Sequence, residues 1–316
     1  MSELNTQQPK TQLKGVLLLL LTAIIWGTSF VAQSLGSDSV PGFTFMGIRT
    51  IIGAFFLLPF ILTRDKISAK KMTESEIQHR KATDKKTIKY GIIIGVFLCA
   101  ATNFQQFAFY QPGAGAGKIA FITAMYMFFV PILGLIFFRK KIPFITWICI
   151  ILGFIGLYFL CFKTSSFGSI GLCDILTFIC AIFFTLQILF IEKFAPECDG
   201  IKLSCVQFFT AGILSLILMF IFERPDPAQI KAGILPILYS GIMSCGFAYT
   251  MQVVGQKYCE ATIASLLMCM ESVFATLSAA IYLHETLSGR EITGCVVMFV
   301  AIIISQLSEK FKFFES

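Results

Sequence analysis

Ten apolar stretches of about twenty residues follow one another along the chain, and the positive charge sits in every second gap between them. They run 15–35, 42–63, 90–110, 116–138, 144–162, 171–192, 203–222, 233–255, 260–284 and 291–308. At 1.5 Å per residue each is long enough to cross a hydrocarbon layer about 30 Å thick. Lipid offers the backbone no hydrogen-bonding partner, so a continuous apolar run of this length has to be a helix. The gaps leave no room for a soluble domain. The expected fold class is all-α integral membrane, with ten transmembrane helices.

The charges set the expected orientation. Of 25 Lys and Arg, nine fall between Arg64 and Lys89 and three are Arg139, Lys140 and Lys141. Counting alternate gaps and both tails as inside gives 19 positive residues, against four outside (Lys163, Arg224, Lys231 and Arg290). The positive-inside rule then places both termini in the cytoplasm of a multi-pass protein of the plasma membrane. With only 14% charged residues the chain lies far from a soluble domain, which averages about 25%. The net charge of +7 is topological and calls for no nucleic-acid partner. Eleven cysteines contain no C-x-x-C, and most stand singly inside apolar runs, so neither a disulfide framework nor a metal site is expected. No cofactor is expected either. The first run is expected to stay as a helix, because it lacks a clear small-residue cleavage site.

A faint repeat divides the chain. An offset of 158 sets Trp26 over Phe184 and Arg49 over Gln207, and after the charged segment an offset of 145 sets Tyr126 over Glu271. Each half then holds five helices: 15–163, with a charged cytoplasmic loop at 64–89, and 164–308. Tails of 1–14 and 309–316 remain. Five is odd, so the second half enters the membrane from the opposite side. Inverted repeats of this kind are a hallmark of secondary transporters with a site near the midplane.

At particular residues the chain resembles the drug/metabolite transporter superfamily, EamA type. Trp26-Gly27-Thr28-Ser29-Phe30-Val31 is similar to the family's opening helix, and Phe45-x-x-x-Arg49 follows in the second run. Asn103-Phe104-Gln105-Gln106 and Gly115-Ala116-Gly117-Lys118 resemble a bacterial variant of helices three and four. Glu271-Ser272-Val273-Phe274 and His284-Glu285-Thr286-Leu287 resemble the family's Glu-Pro-Val-Phe and Gly-Glu-Arg-Leu segments. Ser272 departs from the usual proline, and Arg139-Lys140-Lys141 departs from an acidic end to the fourth helix. The resemblance covers about 15–308 and implies transport of small metabolites without an ATPase. It does not identify the substrate.

Charged groups inside a membrane cost at least about 2.5–3.5 kcal/mol, so each needs a partner or a purpose. Glu271 lies eleven residues into the ninth run, about 16 Å deep and near the middle of the bilayer. A carboxyl there can bind and release a proton as access alternates, or bridge helices. Arg49 lies about 10 Å deep and can pair with Glu271 or hold a substrate carboxylate in its fork. Lys118, beside a glycine-rich stretch, can reach a cavity or snorkel to the interface. Asp174 suits the start of its helix. Gln33, Asn103, Gln106, Tyr126, Gln187, Gln207, Tyr249 and Gln252 fall at comparable depths and are expected to line one wet cavity. The fifth and tenth runs carry few polar groups and are expected at the periphery. Gly91-x-x-x-Gly95 is expected to bring two helices together within the monomer, and Ser288-x-x-Glu291 to cap the last helix.

The expectation is a secondary active transporter, an exporter of small polar metabolites such as amino acids. It would take a small-molecule substrate, with protons as the coupling ion, and work as a monomer or weak homodimer in the lipid bilayer. The alternative is a membrane enzyme using Glu271, Lys118 or His284. Against that stands the absence of H-E-x-x-H and Gly-x-Ser-x-Gly from the chain.

Overall fold

The computed structural model describes residues 2–70, 72–139, 142–161, 170–282 and 288–315. Lys140, Lys141, Lys163 and the His284–Leu287 motif lie outside them. All regular structure among the described residues is helical: α1 (Ser2–Ser37), α2 (Gly42–Ala69), α3 (Glu74–Phe109), α4 (Ala116–Thr123), α5 (Tyr126–Phe138), α6 (Phe144–Cys161), α7 (Leu172–Phe194) and α8 (Gly200–Phe222). Then come α9 (Pro227–Ala232), α10 (Ile234–Tyr239), a π-helical stretch Ser240–Tyr249, α11 (Thr250–Gly255), α12 (Ala261–Met268), α13 (Glu271–Tyr282) and α14 (Gly289–Glu315). Among the described residues, nine helical spans are long and apolar enough to cross a membrane, and α6 contributes a shorter apolar stretch, Phe144–Phe159. The protein is multi-pass.

The segment 64–89 is not a loop. α2 runs on to Ala69 and α3 starts at Glu74, so the charges sit on two protruding helix ends. Thr73 and Glu76 close a capping box: Thr73 N donates to Glu76 Oε2 at 2.7 Å, and Glu76 N to Thr73 Oγ1 at 3.4 Å. Asp65 gathers Arg80 and Lys202, Lys202 Nζ also meets Asp84 Oδ1 at 2.8 Å, and Arg64 pairs with Asp199. This network ties α2 and α3 to the start of α8 at what is here termed the charged end.

At the opposite end a carboxylate caps a helix from a distance. Pro41, the residue before α2, has no side chain that could cap it. Glu223 at the end of α8 supplies the acceptors, taking Phe43 N, Thr44 N and Thr44 Oγ1 at 2.8 Å each.

Two spans are interrupted by tight turns. Met125 N bonds to Ile122 O and Met127 N to Ala124 O between α4 and α5. Met270 N bonds to Leu267 O and Ser272 N to Cys269 O between α12 and α13. These three-residue closures mark local 3₁₀ winding, which often accompanies a hinge. The second turn forms with Ser272 in place of proline. The two turns meet, with Cys269 Sγ 3.5 Å from the Ala124 carbonyl.

Close helix contacts depend on glycine. A Cβ on Gly27 would lie 2.6 Å from Phe274 Cβ and 2.8 Å from the Glu271 carbonyl, so only glycine lets α1 approach α13. Gly27→Val should therefore cost about 1–3 kcal/mol by overpacking. That cost reads out as a lower melting midpoint of the purified protein in detergent, and an unchanged midpoint would mean the helices are not held this closely. Gly91 and Gly95 meet Val206 and Thr210 of α8, within the monomer. α6 and α14 pack chiefly on each other, away from the centre.

Candidate functional site

Seven spans converge on one cavity. α1 supplies Trp26, Ser29, Phe30 and Gln33; α2 and α3 supply Arg49 and Gln105. The tight turn between α4 and α5 supplies Thr123 and Tyr126, and α7 supplies Phe184 and Ile188. The π-helical stretch and α11 supply Ser244, Tyr249 and Gln252, and α13 supplies Glu271. The space open to the centre of a water-sized sphere is ≈ 20 Å³, room for about one water. Anything larger than a water must widen it.

The walls are of two kinds. Trp26, Phe30, Phe184 and Ile188 form apolar surface, with the Trp26 and Tyr249 rings 4.6 Å apart. Facing it are the polar groups. Glu271 is 3% exposed, and its Oε1 accepts the Tyr126 hydroxyl at 3.1 Å. Arg49 is 1% exposed; Nε and Nη1 have no hydrogen-bond partner among the described residues, and its Cζ lies 5.7 Å from the centre of the Phe45 ring. The two charged side chains border one cavity, and no ion pair joins them among the described residues. Gln33 Oε1 and Trp26 Nε1 are also buried without partners among the described residues.

A wide-turn π-helix is scarce and often lies at functional sites. Here it carries Ser244 and Tyr249 to the cavity, and Thr22 Oγ1 of α1 donates to the Ala248 carbonyl at 3.0 Å. Below the cavity, toward the charged end, Gln187 and Gln252 exchange two amide hydrogen bonds of 3.3 and 3.1 Å. This pair floors the site and joins α7 to α11.

The structure divides the residues picked out from sequence. Arg49, Tyr126, Tyr249, Gln252, Glu271 and Gln33 line the cavity, and Gln187 touches it through Gln252. Lys118 does not: its Nζ pairs with Asp174 Oδ1 at 2.6 Å, because the start of α4 leaves it beside the head of α7. Asp174 also accepts Gly171 N at 2.9 Å, the capping role expected of it. Arg49 does not pair with Glu271. Asn103 points to α8 instead, its Nδ2 donating to Ser215 Oγ at 2.8 Å. Gln106 and Gln207 are buried elsewhere in the bundle. Sequence reasoning missed Gln105 and the hydroxyls Ser29, Thr123 and Ser244. Gln105 donates to Thr123 Oγ1 at 3.2 Å. Only its place beside Gln106 hinted at it.

Comparison with known proteins sets this geometry in a family. The EamA-like transporter family matches residues 13–162 and 171–307. An uncharacterized transporter of Archaeoglobus fulgidus is 27% identical over 291 residues, covering 92% of this chain and 84% of that protein. One from Clostridium kluyveri is 26% identical, covering 94% of each. The uncharacterized transporter YoaV of Bacillus subtilis is 22% identical, covering 92% and 96%. A crystal structure at 16% identity shares the fold, with a TM-score of 0.72 over 93% of this chain and 96% of that one.

Proposed function

The chain belongs to the EamA-like transporter family and is a membrane transporter of small molecules rather than an enzyme; we propose that it is a secondary active exporter in the plasma membrane. The proposed cargo is small polar metabolites, amino acids or related compounds, moved by alternating access around the cavity. One observation carries this reading. Arg49 and Glu271 border the same cavity deep in the bundle and are left unpaired with each other. Two structural charges would gain by pairing, since a lone charge in lipid is costly. Left apart, they suit a polar cargo that meets them in turn.

We further infer ten helices in two inverted five-helix repeats, with the charged end in the cytoplasm. Several boundaries support the repeat. α2 and α8 start at Gly42 and Gly200, α4 and α12 at Ala116 and Ala261, and α6 and α14 at Phe144 and Gly289. The two tight turns also use equivalent bonds, and Tyr126 and Glu271, equivalent by the 145 offset, touch each other. Residues on a pseudo-two-fold axis meet their own counterparts in this way.

Two measurements test these points. Labelled compounds from a panel of amino acids, organic acids and amines should exchange across proteoliposomes by counterflow for at least one class. Exchange of none would remove the proposed cargo. Ser75→Cys, in a variant lacking the native cysteines, should resist an impermeant thiol reagent in intact cells. Rapid labelling from outside would reverse the orientation.

A further inference from the structure

We propose that Gln207 is the cavity's polar contact in the opposite-facing state, in the place that Arg49 holds here. The inference rests on the inverted-repeat transporter read above. Arg49 and Gln207 each lie seven residues beyond the glycine that opens their helix. Both are buried, at 1% and 0% exposure. Among the described residues Arg49 Nε and Nη1 lack hydrogen-bond partners, and so do both amide atoms of Gln207. They differ in one respect: Arg49 lines the cavity and Gln207 does not.

A primary amide with both ends stranded is an expensive group to keep between packed helices. Leu or Met would fill the same volume without that cost, so packing alone gives no reason for glutamine. The surrounding contacts are tight. A Cβ on Gly95 would lie 2.8 Å from the Gln207 carbonyl, and Cys205 Sγ reaches the Ala54 carbonyl at 3.6 Å.

α2 and α8 run antiparallel, with Gly47 against Leu216 and Gly212 against Ile51. Gln207 therefore lies nearer the charged end than Arg49, by about 10 Å along the bundle. When access switches, inverted repeats exchange settings around a fixed site. α8 takes the setting of α2, the cavity extends toward the charged end, and Gln207 lines it while Arg49 withdraws into the α2–α8 seam.

The two faces then offer different chemistry to an anionic group on the cargo. One offers a guanidinium, the other a neutral amide whose hydrogen bonds are about half as strong. Anionic cargo is held more tightly on the Arg49 face, while gradients still set the direction of net transport.

The test needs no knowledge of the cargo. Arg49→Cys, Gln207→Cys and Ser244→Cys are placed singly in a cysteine-free variant and reconstituted. A charged, membrane-impermeant methanethiosulfonate is then applied to each face. Arg49→Cys should react from one face, Gln207→Cys from the other, and Ser244→Cys from both. Cysteines at Lys118 and Asp174, whose side chains meet at 2.6 Å, can be joined by a short bifunctional reagent to hold the present state. The crosslink should slow Gln207→Cys labelling about tenfold and spare that of Arg49→Cys, as a population shift requires. Ala211→Cys, one turn along the same face of α8, repeats the reading if Gln207→Cys fails to accumulate. Reaction of positions 49 and 207 from the same face overturns the inference. So does reaction at 49 and 244 with none at 207 or 211, although the transporter reading then stands. No reaction at 244 from either face overturns both.

Discussion

Arg49→Met is expected to move binding and stability in opposite directions. Binding of a carboxylate-bearing cargo should weaken by about 30- to 1,000-fold, the 2–4 kcal/mol typical of losing one partner of a buried, hydrogen-bonded charge pair. The empty protein should melt at a higher temperature. Arg49 is 1% exposed, two of its guanidinium nitrogens have no hydrogen-bond partner among the described residues, and the Phe45 ring lies 5.7 Å away. A buried charge in that condition is a liability that methionine, of similar reach, removes. A structural arginine would behave otherwise, because its loss would strand a partner and lower the melting point. Trp26 gives the binding readout. It lines the cavity, and the only other tryptophan is Trp147, so a Trp147→Phe background makes fluorescence report the site. Acid and amide versions of the same compounds separate charge from shape. Equal affinity for both in the parent protein, or a lower melting point in Arg49→Met, would end the case for Arg49 as a cargo residue.

The spans were legible because lipid imposes a simple rule: twenty apolar residues with no outside hydrogen-bonding partner coil into a helix. Local devices were legible for a similar reason. Ser288 and Glu291 form the reciprocal cap that their spacing announces, with bonds of 2.8 and 3.3 Å. Helix rotation was not legible. Adjacent helical residues point about 100° apart, and a helix apolar on every side has no polar face to fix its turn. Hence Gln106 was picked out and Gln105 faces the cavity. Which of its two expected settings Lys118 takes was not legible, because its partner, Asp174, belongs to a helix two spans later in the chain. The tight turns at Ala124–Met125 and Cys269–Met270 carry no proline or glycine, so nothing local marks them. The charged segment read as a loop because charge is excluded from lipid. A helix can equally well project beyond the membrane when its end is capped and its charges are paired, as Thr73 and Asp65 show.

Glu271→Gln is expected to abolish accumulation driven by a pH gradient while sparing exchange. The carboxyl is 3% exposed, at the head of α13 and beside the tight turn, where the two broken spans meet. A neutral carboxylic acid can hydrogen-bond there at little cost, whereas an ionised one requires a cation or a cluster of donors. The Tyr126 hydroxyl, at 3.1 Å from Oε1, supplies a single donor. No ion pair reaches Glu271 among the described residues, so its charge must be met by something that comes and goes, either a proton or a cationic group on the cargo. Glutamine keeps the shape and an acceptor for Tyr126 but holds no exchangeable charge. Counterflow between equal pH compartments should therefore continue, since it needs only a cavity that opens to each side in turn. Uphill movement against a concentration gradient should cease. Tyr126→Phe provides the control: it removes one hydrogen bond worth about 1 kcal/mol, and should shift the pH dependence of transport without ending coupling. If Glu271→Gln still concentrates cargo with the parent's pH dependence, the carboxyl is a helix-bridging group, and coupling resides elsewhere.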